Sequence, residues 1–411
     1  MSMYRSNFHN RNQNKRRRKR KIARLILVNS TLLVLITIII AVYTLNWGDE
    51  NAVPPDSIQQ QGGDSSIVKP DGGVPEEHED LTSPQNNEEN GPSEMPAAGP
   101  VKLSFVGDIL LASKVDAIMN KNGYDYPYKK AKPYLKASDL TAANLENPIT
   151  RVNDPAPDKQ FVFKGDPVSL PSLKAAGFDV VSLANNHTQD HGKQGLLDTM
   201  HNLDKAGIPH TGGGRNDVEA FKPVILEAKG IKVAYFGFSR VLPVMEWKAD
   251  PNRIGVAESY DEKQAVQAIR DAQEKADLVV VMVHWGRERV DWPVDHQKVL
   301  ARAYIDAGAD LVIGSHPHVL QGFESYKGKW IAYSLGNFIF NTTATKKTRD
   351  TGVLDATCTP EGACDLQLHP MRANNSQPVP LKGAEATTLL NRISDISIGA
   401  SIDSKGRISA K

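Results

Sequence analysis

Residues 25–45 carry no charged side chain and consist almost wholly of Leu, Ile, Val, Thr and Ala. At about 1.5 Å rise per residue, a helix of this length crosses a hydrocarbon core of about 30 Å. Such a run divides any chain into parts that live in different solvents. Here the division is sharp. No Asp or Glu precedes Asp49, and Lys15–Arg16–Arg17–Arg18–Lys19–Arg20–Lys21 is an unbroken basic block. Tyr43 and Trp47 sit at the far end of the run, where aromatic rings favour the membrane interface. A basic flank stays in the cytoplasm, so residues 1–24 are expected inside and everything after Gly48 outside the cell membrane. A cleaved signal peptide and a buried core helix are the alternatives. The run exceeds a usual signal h-region, and no small-x-small cleavage site follows Leu45. An uncleaved single-pass anchor is therefore expected. The basic block could be read as a nucleic-acid patch. Beside a span, anionic lipid and topology explain it better. The net charge of +1 gives no overall field that would favour nucleic acid.

Residues 46–100 are rich in Pro, Gly, Glu, Asn, Gln and Ser, with almost no large apolar side chains. They cannot bury enough surface to fold and read as a disordered linker that lifts the rest off the membrane. From Val101 apolar runs alternate with helical patterns, the signature of α/β layering. Strands are expected at 102–106, 140–143, 180–183, 224–226, 232–236, 278–283, 311–313 and 330–333. Helices are expected at 128–136, 193–206, 261–275 and 296–307. Gly207 and Gly308 stop two of them. Lys229–Gly230 reads as a hairpin turn. The globular domain is placed at 101–355, with 356–411 a C-terminal extension packed on it. The only cysteines, Cys358 and Cys364, can close a small disulfide loop outside the membrane.

The chemistry concentrates at strand ends. In Ile313–Gly314–Ser315–His316–Pro317–His318–Val319 two histidines follow an apolar run. Pro317 fixes its own φ and biases His316 away from helix, so the two rings can point different ways. Four more strand ends offer ligand types: Asp108, Glu146, Asn186 with His187, and His284. Gly107 is expected to let the backbone turn so that Asp108 faces a pocket. Each residue alone has a dull explanation as a turn former or polar neighbour. Together, carboxylate, amide oxygen and imidazole suit a hard-to-borderline divalent ion such as Mn, Fe or Zn.

The order Asp, acid, Asn-His, His, His-x-His is similar to the layout of the dinuclear metallophosphoesterases. More closely, the chain resembles the CapA family of capsule and poly-γ-glutamate synthesis proteins. The resemblance rests on Phe105–Val106–Gly107–Asp108, Asn144–Leu145–Glu146–Asn147–Pro148, Ala184–Asn185–Asn186–His187, His284–Trp285–Gly286 with Glu288, His316–Pro317–His318–Val319, and Tyr333–Ser334–Leu335–Gly336–Asn337–Phe338. It spans roughly residues 101–355. It implies a calcineurin-like metallophosphoesterase sandwich: two packed mixed sheets flanked by helices. It also implies roles. Glu146 would bridge two ions, with Asp108 and His318 on one, and Asn186, His284 and His316 on the other. His187 would be the general acid. Arg349 and Glu288 would meet substrate, an anionic polymer or a phosphate-containing molecule, with a surface salt bridge the alternative for Arg349. Asp190 and Gly192 would shape the Asn-His loop. Of Trp285 and Trp292, one is expected to pack in the core and the other to wall a cleft. One departure matters. Metallophosphoesterases usually place a histidine two residues after the first aspartate, and here Leu110 stands there. One tight ion and one weak ion are therefore expected.

Two functions follow from the resemblance. One is an accessory role in a membrane machine that makes or exports poly-γ-glutamate or a related surface polymer, beside other subunits. The other is a surface-anchored, metal-dependent phosphoesterase. Fold alone does not choose between them. The topology is testable first: protease added to intact protoplasts should remove the globular part, and full protection would exclude the orientation.

Overall fold

The structure is a computed structural model and describes residues 99–411. The basic segment, the expected span at 25–45 and all but the last two residues of the expected linker lie outside the described residues. Among the described residues, no helix is long and apolar enough to cross a membrane.

In chain order the strands are β1 (Val101–Ile109), β2 (Leu140–Leu145), β3 (Val180–Ser182), β4 (His210–Thr211), β5 (Gly213–Gly214), β6 (Val224–Ala228), β7 (Ile231–Ser239), β8 (Gly255–Val256), β9 (Leu278–His284), β10 (Leu311–Ser315), β11 (Phe323–Tyr326), β12 (Lys329–Ala332), β13 (Asn337–Ile339), β14 (Asp350–Cys358), β15 (Cys364–Asn374), β16 (Gln377–Pro380), β17 (Ala400–Ile402) and β18 (Arg407–Ala410). They form a ten-stranded sheet ordered β17-β18-β15-β14-β1-β2-β3-β4, with β13 on β1 and β16 on β15, a six-stranded sheet ordered β11-β12-β10-β9-β7-β6, and a two-stranded sheet of β5 and β8. Both larger sheets are mixed. β1, β2, β3 and β4 run parallel, as do β7, β9, β10 and β12, and antiparallel strands extend each set.

Side chains alternate across a strand, and the buried ones sort accordingly. Leu103, Phe105, Ala142 and Val180 of the large sheet meet Val233, Tyr235, Val280 and Ile313 of the small one in a common core. The opposite face of the large sheet, with Ala143 and Val181, is covered by Met119, Leu173 and Leu196 from helices Lys114–Asn122, Leu170–Ala176 and Gly192–Lys205. The opposite face of the small sheet, with Phe236, Val281 and Val312, is covered by Ile269 and Tyr304 from helices Lys263–Ala272 and Asp295–Ala307. The result is an α/β architecture of two face-packed sheets between helical layers.

Every strand expected in the sequence is present, as is the hairpin turn. Lys229 and Gly230 both have positive φ (53° and 78°), as a two-residue turn of the twisted-hairpin type requires. The expected helix at 128–136 is not one helix. A 3-10 turn covers Tyr126–Tyr128 and a single helical turn covers Lys132–Leu135. Pro127 and Pro133 are the second residues of these turns, within the first turn where a missing N–H is tolerated but from which it cannot be continued back into a longer helix. Position 355 falls inside β14, and β15, β16, β17 and β18 continue the large sheet from there. Cys358 and Cys364 face each other across β14 and β15 and are bonded.

Gly107 does a different job from the expected turn. It lies within β1 without positive φ, where the register with β2 shifts between Phe105 and Asp108. A Cβ built there would stand 1.8 Å from the Gly336 carbonyl oxygen. That carbonyl accepts the Asp108 N–H at 2.8 Å, so the glycine admits the chain segment that fixes Asp108. Gly107→Ala should therefore destabilise by about 1–3 kcal/mol through overpacking. Denaturant unfolding reads this, and a loss below about 0.5 kcal/mol would show that the segment can shift freely.

Candidate metal centre

Parallel strands of an α/β sheet present their C-terminal ends to one crevice. Both sheets do so here, and their crevices coincide. Asp108 is the penultimate residue of β1, and Glu146 follows β2 directly. Asn186 and His187 follow β3, His284 ends β9, and His316 and His318 follow β10. His284 Nε2 lies 2.9 Å from Asn186 Oδ1, so the two sheets touch through ligand-type atoms. The histidine loop is held in an uncommon backbone: φ is 92° at His316 and 56° at His318. The expected bias away from helix holds. The conformation adopted, however, is left-handed rather than extended.

Asp108, Glu146 and His318 each offer an atom, and these atoms lie within 4.8 Å of one another. Asp108 Oδ2 is 3.2 Å from His318 Nδ1. Glu146 Oε1 is 3.8 Å from both His284 Nε2 and His318 Nε2. Ligand atoms about 2.0–2.2 Å from an ion stand roughly 3–3.6 Å apart, so these spacings are near those of a coordination sphere. Both carboxylates are fully buried. Among the described residues, Glu146 Oε1 has no hydrogen-bond partner, and neither does Nδ1 of buried His316. Such orphaned acceptors are costly unless a cation or donor meets them. The residues present therefore fit a divalent ion. This buried acidic and histidine group can hold a metal.

Electrostatics agree with that assignment. Burial pushes the Asp108 carboxyl up, but His318 and the Asn144 amide outweigh it and hold Asp108 below the ordinary value. Glu146 is driven well above the ordinary value by burial and by the neighbouring Asp108 charge. Burial, then the neighbouring His316 and His318, pushes His284 well down. Burial pushes His316 down to about 3. Both rings are thus neutral, the form in which imidazole binds a metal. His318 differs: burial lowers it, yet Asp108 holds it above its usual value.

His187 stands beside this group. Its Nδ1 is 2.7 Å from Asp190 Oδ2 and 3.0 Å from Lys159 Nζ, so Nε2 is the nitrogen left to exchange a proton. Lys159 also contacts Asp190 Oδ1, donates to the Asn186 carbonyl at 2.6 Å, and lies 5.0 Å from the Trp247 ring centre. Phe163 packs on His187 with ring centres 4.7 Å apart, and its N–H donates to Asp190 Oδ2 at 2.7 Å.

Among the described residues, no hydrogen bond draws Arg349 or Glu288 into the cluster. Arg349 is half-buried at the end of the turn Lys346–Thr348, with its Nε buried and unpartnered. Glu288 is exposed, and its charge helps to raise His318. Leu110 is buried and offers no ligand. Trp285 is a core residue that donates to the Tyr333 carbonyl at 2.9 Å, whereas Trp292 is 52% exposed.

Four participants were not assigned a role from the sequence. Asn144 donates to Asp108 Oδ1 at 2.8 Å and Glu146 Oε2 at 2.6 Å. Asn337 Oδ1 lies 2.8 Å from His318 Nδ1, and Ser315 Oγ lies 2.9 Å from His284 Nδ1. Lys159 is the fourth. Asp190 does more than shape the loop, since it fixes His187. Asn144, Asn337 and Ser315 stood inside recognised motifs, so position could have flagged them. Lys159 lies in an irregular stretch without a pattern.

The family model for the bacterial capsule synthesis protein PGA_cap matches residues 102–342. The capsule biosynthesis protein CapA of Bacillus anthracis is 35% identical over 287 residues, which cover 69% of this chain and 70% of that protein. The PGA biosynthesis protein CapA of Bacillus subtilis is 36% identical over 284 residues, covering 69% of this chain and 74% of its own length. Among solved structures, the NAD nucleotidase of Haemophilus influenzae aligns over 74% of this chain and 65% of its own at 14% identity and a TM-score of 0.40, an overlap too loose to bear on function. The matched segment contains every proposed ligand, and the chain belongs to the bacterial capsule synthesis protein family PGA_cap.

Proposed function

We propose that this chain is a membrane-anchored, extracytoplasmic protein that acts in synthesis or export of capsule, poly-γ-glutamate or a related surface polymer, through a metallophosphoesterase-like site. One observation carries the reading: acidic and imidazole atoms from separate strand ends converge within 4.8 Å, with Glu146 Oε1 and His316 Nδ1 buried and unpartnered. Asp108, Glu146 and His318 would hold an ion, with Asn186, His284 and His316 beside them for a second. A bound divalent ion offsets charge on a phosphoryl group and makes water more acidic. The fold would be the calcineurin-like sandwich, and the partners would be other subunits of a synthase or export complex. Arg349 would add positive charge for an anionic polymer or phosphate, and Glu288 would border the same opening.

Metal binding tests this reading directly. Full-length protein purified without chelator should carry Mn, Fe or Zn, and added metal should stabilise it by about 2.7 kcal/mol at a hundredfold excess over Kd. Glu146→Gln should abolish that gain while leaving the metal-free chain no less stable, because it removes one of two buried like charges. A metal-free wild type whose melting temperature ignores all three ions would sink the metal centre.

A phosphoesterase activity has its own support, the His187–Asp190 contact. Water would attack phosphorus and release a proton to solvent, the phosphorus–oxygen bond to the leaving group would break, and His187 Nε2 would give its proton to the departing oxygen and regain one from solvent. Asp190 and Lys159 keep the ring turned for this. His187→Ala should lower kcat for an activated phosphate ester about 10²–10⁴-fold with metal content unchanged. If the metal-loaded wild type turns over no phosphate ester, the accessory role stands alone.

A further inference from the structure

Phe161 is 59% exposed, and its ring lies nearly parallel to that of Phe163, at 11° with centres 6.3 Å apart. Phe163 in turn packs on His187. The three rings form a row that runs outward from the proton-donating residue into solvent. An exposed phenylalanine is unremarkable when it stands singly or when it holds its loop in place. Neither applies to Phe161. The loop is pinned on both sides of it by polar contacts to one buried carboxylate: Lys159 Nζ reaches Asp190 Oδ1, and the Phe163 N–H donates to Asp190 Oδ2. The Phe161 ring is thus free of that task, and the same carboxylate that orients His187 sets the position of the aromatic row.

We propose that Phe161 and Phe163 form a subsite for a flat aromatic group, an aryl ring or a nucleobase, carried on the leaving side of a phosphate ester. This rests on the reading of the adjacent metal centre as phosphoryl-binding. His187 marks the leaving side, because it protonates the departing oxygen. A group attached to that oxygen meets Phe163 first and can then lie against the outer face of Phe161. Stacking of this kind accepts any planar π face and needs no hydrogen-bond code.

Two phosphonates separate the parts of the proposal. Methylphosphonate and phenylphosphonate share an anionic head, differ by the ring, and lack a hydrolysable ester bond. Full-length protein in lipid nanodiscs, loaded with manganese, is titrated calorimetrically with each. The wild type should bind phenylphosphonate about tenfold more tightly. Phe161→Ala should make the two equal. Val218→Ala, at an exposed position in the turn Asp217–Ala220, which contributes no residue to the subsite, should keep the preference. Equal affinities in the wild type, or a preference that survives Phe161→Ala, overturn the subsite while the phosphoryl reading stands. Failure of both phosphonates to bind the metal-loaded wild type overturns the phosphoryl reading and the subsite together.

Discussion

Two carboxylates, Asp108 and Glu146, are buried completely and share one amide group, that of Asn144. Like charges in a dry interior repel strongly, and each would rather be neutral or solvated. The Asn144 amide is a donor that can serve both at once, and it can do so only in one arrangement. β1 and β2 must run parallel with Asp108 opposite Asn144, which is the register observed. On the other side of β1, Asn337 lies opposite Asp108 in a second parallel pairing and contacts His318. Three adjacent strands therefore present one rung, Asn144, Asp108 and Asn337, in which Asn144 donates to both carboxylates and Asn337 meets His318. A slip of one residue would turn every member of the rung to the wrong face.

The small sheet closes the arrangement. Its C-terminal strand ends deliver His284 and the histidine loop against that rung, and the shared apolar core behind keeps the two edges in place. The rigid part of the molecule thus ends where the polar part begins. The loops beyond carry little core of their own but several anchors of charge and hydrogen bonding. Lys159 binds one loop to Asp190, and Arg289 N–H donates to the Pro317 carbonyl at 2.7 Å from another.

The strands and the strand ends that carry the candidate ligands were legible because the chain writes them in the strongest available code. β9 is apolar throughout and ends in a histidine, so both its burial and its chemistry show at once. β15 shows why the rest was missed. Cys364–Asn374 alternates buried and half-exposed residues and contains Pro370, features that weaken any strand reading of an isolated sequence. It forms because β14 offers it nine paired positions, information held elsewhere in the chain. The bracing residues were missed for a related reason. Asn144 lies within an apolar strand and Lys159 in an irregular loop, and neither shows its partners until distant segments meet. Gly107 was noticed, but the neighbour that requires it, Gly336, is more than two hundred residues away.

The left-handed backbone at His316 and His318 sets the chain's interests against one another. Such conformations cost about 1–3 kcal/mol each in residues with side chains, and glycine adopts them freely. Glycine at either position would relieve that backbone cost and would remove an imidazole that the surrounding residues contact. The hollow left behind would cost packing, so relief at the backbone is set against lost contacts and lost ligand atoms. The protein retains side chains at two positions whose backbone glycine would adopt freely, so this loop is a place to read what selection has asked of the molecule.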